Sequence, residues 1–276
     1  MDLKILAEIP PWEWPKGVDK TLLATLNDDR ADADDRLLAA ELASNIPVIN
    51  DVLIEALLAV LQNTAESEDL RGTAAIALGP ALEYADTGGF DDMDEAMVSG
   101  PAIDNIQKTL HRLYSDAALP KNVRRRVLEA AIRSPQDWHG DAIRAAWTCK
   151  DEDWRLTAVF AMRWVRGFDK QIIEALNSAD PEILCEAVLA AGNWGLDEAW
   201  PQLSKILKAN EVDKELMLTA IEAAVSIRPR EAEELLEDLT HADDEDVADA
   251  AYEALAMIDG LAEDDEDDYD DEDEDY

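Results

Sequence analysis

Apolar positions recur every three or four residues along most of the chain, in stretches of about ten, and the stretches come in pairs. One member of each pair carries a fixed pattern: an apolar residue, a small residue four later, and another small residue three after that. It reads Leu70, Ala74, Ala77; Trp154, Ala158, Ala161; Ile183, Ala187, Ala190; Leu216, Ala220, Ala223; and Val247, Ala251, Ala254. A looser copy is Val123, Val127, Ala130, and the loosest is Asp35, Ala39, Leu42. The spacing puts all three residues on one helix face, where the small ones let another helix come close. Successive first positions lie 35, 53, 31, 29, 33 and 31 residues apart. Asp69, Asn122, Asp151, Asp180, Asp213 and Asp244 precede six of the seven copies. They are expected as caps, because a short polar side chain accepts from the orphan N–H groups of a first turn. Ahead of such helices lie second amphipathic segments: Asp51–Leu61, Ile103–Leu113, Asp141–Trp147, Lys170–Leu176, Trp200–Leu207 and Ala232–Leu239. No stretch alternates apolar and polar residues convincingly, so strand content near zero is expected. Two helices per unit of roughly thirty residues, stacked in series, predict an α-solenoid.

The run Asp180–Gly192, followed by Leu196-Asp197-Glu198-Ala199 and Leu203 to Leu207, resembles the short HEAT-like repeat of bacterial HEAT-repeat proteins and phycobilin-lyase domains. Asp151–Gly167 and Asp244–Gly260 are similar. The resemblance covers roughly residues 18–260 and implies an all-α, right-handed α-solenoid of about seven HEAT-like helix pairs. It implies no single activity, because such solenoids carry unrelated functions. It also implies a ladder of arginines between neighbouring repeats. Arg36, Arg71, Arg124 and Arg155 each follow the first position of their helix by one residue, and Leu184, Met217 and Ala248 break the series.

Three segments depart from the repeat. Residues 1–17 contain Pro10-Pro11-Trp12-Glu13-Trp14-Pro15 and are expected to cap the exposed apolar end of the array, with Trp12 and Trp14 folded over it. Residues 80–101, punctuated by Gly79-Pro80 and Gly100-Pro101, are expected as an acidic inserted loop. Residues 261–276 are expected as a disordered acidic tail, since twelve of the last fifteen residues are Asp or Glu and little is left to bury.

Charge sharpens the picture. The 276 residues carry 24 Lys and Arg against 64 Asp and Glu, a formal net charge of −40. Residues 108–170 are the exception, with 13 basic and 8 acidic side chains. Three consecutive arginines, Arg124 to Arg126, spread over roughly 200° of helix arc and cannot all serve one ladder. With Arg112, Lys121, Arg133, Arg163, Arg166 and Trp138 they form the candidate binding patch. Trp138, beside Pro135 and His139, is the expected exposed aromatic. Arginine and tryptophan on one face suit a protein interface and a nucleic-acid surface equally.

Two cysteines exclude a disulfide scaffold and a multi-Cys zinc module, and three histidines exclude a His-rich metal site. No apolar run approaches the length of a membrane span. No Gly-rich phosphate loop, Ser/His/Asp spacing or Cys/His pairing is present. No cofactor and no metal are therefore expected, and the expected compartment is the reducing cytoplasm. The expected function is a non-catalytic protein-binding scaffold whose acidic tail modulates binding, through contact with the Arg124–Arg126 region. The alternative is a nucleic-acid-binding or repair protein. Alkylpurine glycosylases are built from similar repeats, but the acidic body opposes phosphate and nucleic acid is not the expected partner.

Overall fold

A computed structural model describes residues 2–88, 98–209 and 211–270, and for residues 261–270 it describes the backbone alone. Among the described residues every regular element is a helix. The chain forms two compact units, residues 1–145 and 146–276.

In the first unit, α1 (Leu3–Ala7) and a short 3-10 turn (Pro11–Glu13) precede α2 (Val18–Leu26) and α3 (Ala33–Leu42). Next come α4 (Asp51–Gln62) with α5 (Glu68–Ile76), then α6 (Gly79–Asp86), α7 (Gly100–Tyr114) and α8 (Lys121–Ala131). Helix α9 (His139–Thr148) carries the chain across the boundary. The second unit holds α10 (Glu152–Met162), the pair α11 (Asp169–Ala175) and α12 (Pro181–Trp194), the pair α13 (Trp200–Leu207) and α14 (Lys214–Ile227), and the pair α15 (Pro229–Leu239) and α16 (Glu245–Asp270).

Within each unit the second helices stack on one another: α3 on α5 on α8, and α10 on α12 on α14 on α16. The repeated pattern explains this. Ala74, Ala158, Ala187, Ala220 and Ala251 are all fully buried, so each helix meets the next over a face with almost no side-chain bulk. The approach is closest at Gly192 of α12, where an added Cβ would lie 2.9 Å from the Cβ and 3.0 Å from the Cα of Ala223 on α14.

Polar contacts between successive repeats add to this packing. Arg36 forks onto Glu66 at 2.7 and 2.9 Å, Arg155 reaches Glu174 at 3.0 Å, and Arg163 reaches Glu186 at 3.2 Å. Trp194 donates to the Met162 carbonyl at 2.7 Å. Arg36 and Arg71 also turn inward. Each donates to a carbonyl ten residues back, at Leu26 and Leu61, and so satisfies an orphan acceptor at the end of its own partner helix.

Several expectations need correction. Asp151, Asp180, Asp213 and Asp244 do cap, accepting from N–H groups two and three residues on. Asp69 and Asn122 do not. Ser67 caps α5, and Pro120, which has no acceptor side chain, precedes α8. The loop expected at 80–101 begins with α6, which Pro80 opens from its first turn, where the missing N–H costs nothing. Residues 89–97 lie outside the described residues. At the amino terminus Leu3 and Leu6 are buried, and Trp14 packs on the core while its Nε1 donates to the Leu6 and Ile9 carbonyls. Trp12 instead faces solvent. It sits in the 3-10 turn of Pro11–Glu13, where side chains one and two residues apart do not share a face. The backbone of α16 runs on to Asp270, into the segment expected to be disordered. Residues 271–276 lie outside the described residues.

Candidate functional site

The stacked helices α3, α5 and α8 present an open groove of about 670 Å³. Arg125, Arg126 and Arg133 line it from α8 and the turn after it, facing Glu41 of α3 and Glu68 and Asp69 of α5. Two glycines make room for this arrangement. A Cβ at Gly72 would stand 3.3 Å from Cγ of Arg126, and one at Gly79 would stand 2.7 Å from Cδ of Arg133. The arginine stems therefore lie across the backbone of the neighbouring helices.

The three consecutive arginines diverge as their helical spacing demands. Arg124 turns toward Tyr114 of α7, whose hydroxyl is held above its usual pKa by burial against the opposing pull of that guanidinium. Arg125 is buried beside Glu129, 3.8 Å away, and Arg126 reaches the same carboxylate at 2.7 Å with half its side chain in water. Glu129 is itself buried, so one carboxylate serves two guanidinium groups in a site of low dielectric. Arg133 pairs with Glu83 at 2.8 Å, and Lys121 lies exposed in the first turn of α8.

The remaining candidates lie elsewhere. Arg112, on the exposed side of α7, donates to Gln62 at 2.5 Å. Arg163 and Arg166 belong to the other unit. There Arg163 pairs with Glu186, and Arg166 lies 4.5 Å over the ring of Trp194.

Trp138 is not an exposed aromatic. It stacks on His111 at 4.7 Å, packs against Tyr114 at 5.1 Å and meets the edge of His139 at 4.0 Å. Its Nε1 donates to Gln136 at 3.0 Å. His139 beneath it is fully buried. Nδ1 accepts from the Gln136 N–H at 2.9 Å, and Nε2 has no hydrogen-bond partner among the described residues. Burial, with a smaller contribution from His111, lowers its pKa from 6.5 to about 4, so the ring is neutral at pH 7.

Sequence reasoning grouped nine residues; the structure brings together three of them, Arg125, Arg126 and Arg133. It missed Glu129, although Arg125 and Arg126 precede that residue by four and three positions, the spacings at which helix side chains meet. It also missed Glu83, fifty residues from its partner, for which no local signal exists. Arginines engaged by carboxylates are poor phosphate ligands, so nothing in this geometry favours the nucleic-acid reading. Among the described residues no group of His, Cys, Asp and Glu is placed to hold a metal ion. No helix among them is long and apolar enough to cross a membrane. Burial raises the pKa of the Cys185 thiol, which lies 3.5 Å from the Thr219 hydroxyl, so it is not poised as a nucleophile.

Comparison with known proteins places the repeat. Residues 169–256, from α11 into α16, match the family model for HEAT repeats. The helix pairs of this stretch are similar to HEAT repeats. Among curated proteins none matches the chain. Among solved structures, YibA of Escherichia coli is similar at 16% identity over 92% of this chain and 85% of that one, with a TM-score of 0.47. Human deoxyhypusine hydroxylase is similar at 17% identity over 88% and 96%, with a TM-score of 0.41. The complex of CpcE and CpcF of phycocyanin lyase from Nostoc sp. PCC7120 is similar at 18% identity over 92% and 98%, with a TM-score of 0.45. At these identities and scores the neighbours carry nothing about activity.

Proposed function

We propose that the protein is a non-catalytic, protein-binding scaffold, and that the groove of α3, α5 and α8 seats its partner. The observation that carries this reading is the groove itself. Successive stacked helices contribute side chains of both charges to one open surface, with Arg126 reachable from solvent and Arg133 partly so. A mixed-charge surface with arginines at its centre suits a polypeptide partner that offers carboxylates and donors in alternation. The acidic tail tunes access.

Affinity capture from the native host's lysate tests this with wild type, a double Arg126→Glu, Arg133→Glu variant, and a chain lacking residues 262–276. A protein retained by wild type, lost with the double variant and enriched by the truncation is expected. Identical capture profiles for wild type and the double variant overturn the reading. Nucleic acid enriched by the truncation and lost with the double variant overturns it in favour of nucleic-acid binding.

A further inference from the structure

Helices α14 and α16 of the second unit enclose another open groove, of about 1060 Å³. Six carboxylates line it against a single cation, Lys214. That lysine is already taken, by Asp244 at 2.9 Å and by Asp246. The carboxylates of Glu215 and Glu222 on α14, and of Asp249 and Glu253 on α16, have no hydrogen-bond or ion-pair partner among the described residues. They are spaced seven and four residues apart, so each pair lies along one side of its helix. Beside Thr219 and Ser226, apolar side chains share the lining of the groove. Leu218 and Val225 belong to it, and so does Met257, which is 62% exposed and one of only five large apolar side chains described as exposed.

We infer that this groove is a docking site for a basic amphipathic helical segment of a partner protein. Unpaired carboxylates held along a groove repel one another, and a ligand bearing Lys or Arg relieves that repulsion as it binds. The exposed thioether and aliphatic floor ask in turn for apolar side chains, and methionine adapts its shape to what it meets. From Glu215 to Val225 the wall runs for roughly 15 Å, about three turns of a docked helix. The chain's own tail carries the same sign as the groove and is excluded from it. A second copy would bring the same carboxylates face to face. This site shares no residue with the groove of the first unit and stands or falls separately.

Fluorescence anisotropy with the full chain tests it. The probe is a labelled amphipathic peptide of about 18 residues built from Leu and Lys at helical spacing, with a scrambled peptide of the same composition beside it. The groove variant is Glu222→Gln, Asp249→Asn, Glu253→Gln. The control removes the same charge from exposed positions of the first unit, Glu8→Gln, Glu13→Gln, Glu55→Gln. We expect the groove variant to weaken binding at least about tenfold and the control less than about twofold. Met257→Asn alone, a neutral polar change at an exposed position, is expected to weaken it about tenfold as well. Absence of binding by wild type, equal weakening by groove variant and control, or equal affinity for the scrambled peptide overturns the inference.

Discussion

The two grooves teach opposite lessons about charge. By residue count the surroundings of α8 are the basic part of the chain, yet Arg125, Arg126 and Arg133 are engaged by Glu129 and Glu83. The α14/α16 groove belongs to the acidic remainder, where four carboxylates stand without partners among the described residues. A guanidinium that is already paired offers directional contacts but little long-range attraction. An unpaired carboxylate offers attraction that acts over about 8 Å at physiological salt. What a surface recruits follows from its unpaired charge, and a count along the sequence does not give that.

The largest effect expected to test this contrast is at Glu129. Glu129→Gln leaves the buried Arg125 facing a neutral amide, and loss of about 3 kcal/mol in chemical denaturation is expected. A loss near zero would mean that Glu129 is not what neutralises Arg125. Next is the pair of glycines. Gly192→Ala drives a Cβ into the backbone of α14 and is expected to cost about 2 kcal/mol, whereas at Gly79 the atom in the way is the mobile stem of Arg133, and the cost is expected to stay below about 1 kcal/mol. The same measurement checks both.

The pH dependence is spread over a window and amounts to about 3 kcal/mol only across the whole of it. His139 is neutral in the folded protein down to about pH 4 and takes up a proton near pH 6.5 when unfolded. The unfolded chain thus binds more protons between those values. Stability is fully present above pH 6.5 and falls with pH, by up to about 1.4 kcal/mol per unit. Denaturation of wild type and His139→Gln from pH 4 to 7.5 is expected to show a difference in stability between them that changes with pH across this window. Parallel curves would mean that His139 is not held neutral. Smallest is the half-exposed pair Arg155–Glu174, where Arg155→Gln is expected to change stability by less than about 1 kcal/mol.

The repeat was legible because its period, its small residues and four of its six caps are local signals, and Ala74, Ala187 and Val247 are buried as their spacing demands. The loosest copy misled by one residue: Asp35 is exposed and Arg36 turns inward instead. Partnership was the part that could not be read. Arg133 finds Glu83 fifty residues away, and Trp138 finds His111 across a helix pair, so both fell from exposed ligands to half-buried structure. Glu129 was readable from helical spacing, as were the carboxylate rows of α14 and α16.

The hydrogen bonds from Arg36 to Leu26 and from Arg71 to Leu61 have a consequence for how such a chain changes length. Each fastening lies wholly inside one helix pair. A segment that is duplicated brings its own arginine and its own waiting carbonyl, and one that is deleted removes both. Neither event strands a helix end in the remaining repeats, so the array can grow or shrink by whole units with the contacts at the new junction, such as that of Arg36 with Glu66, left to be matched.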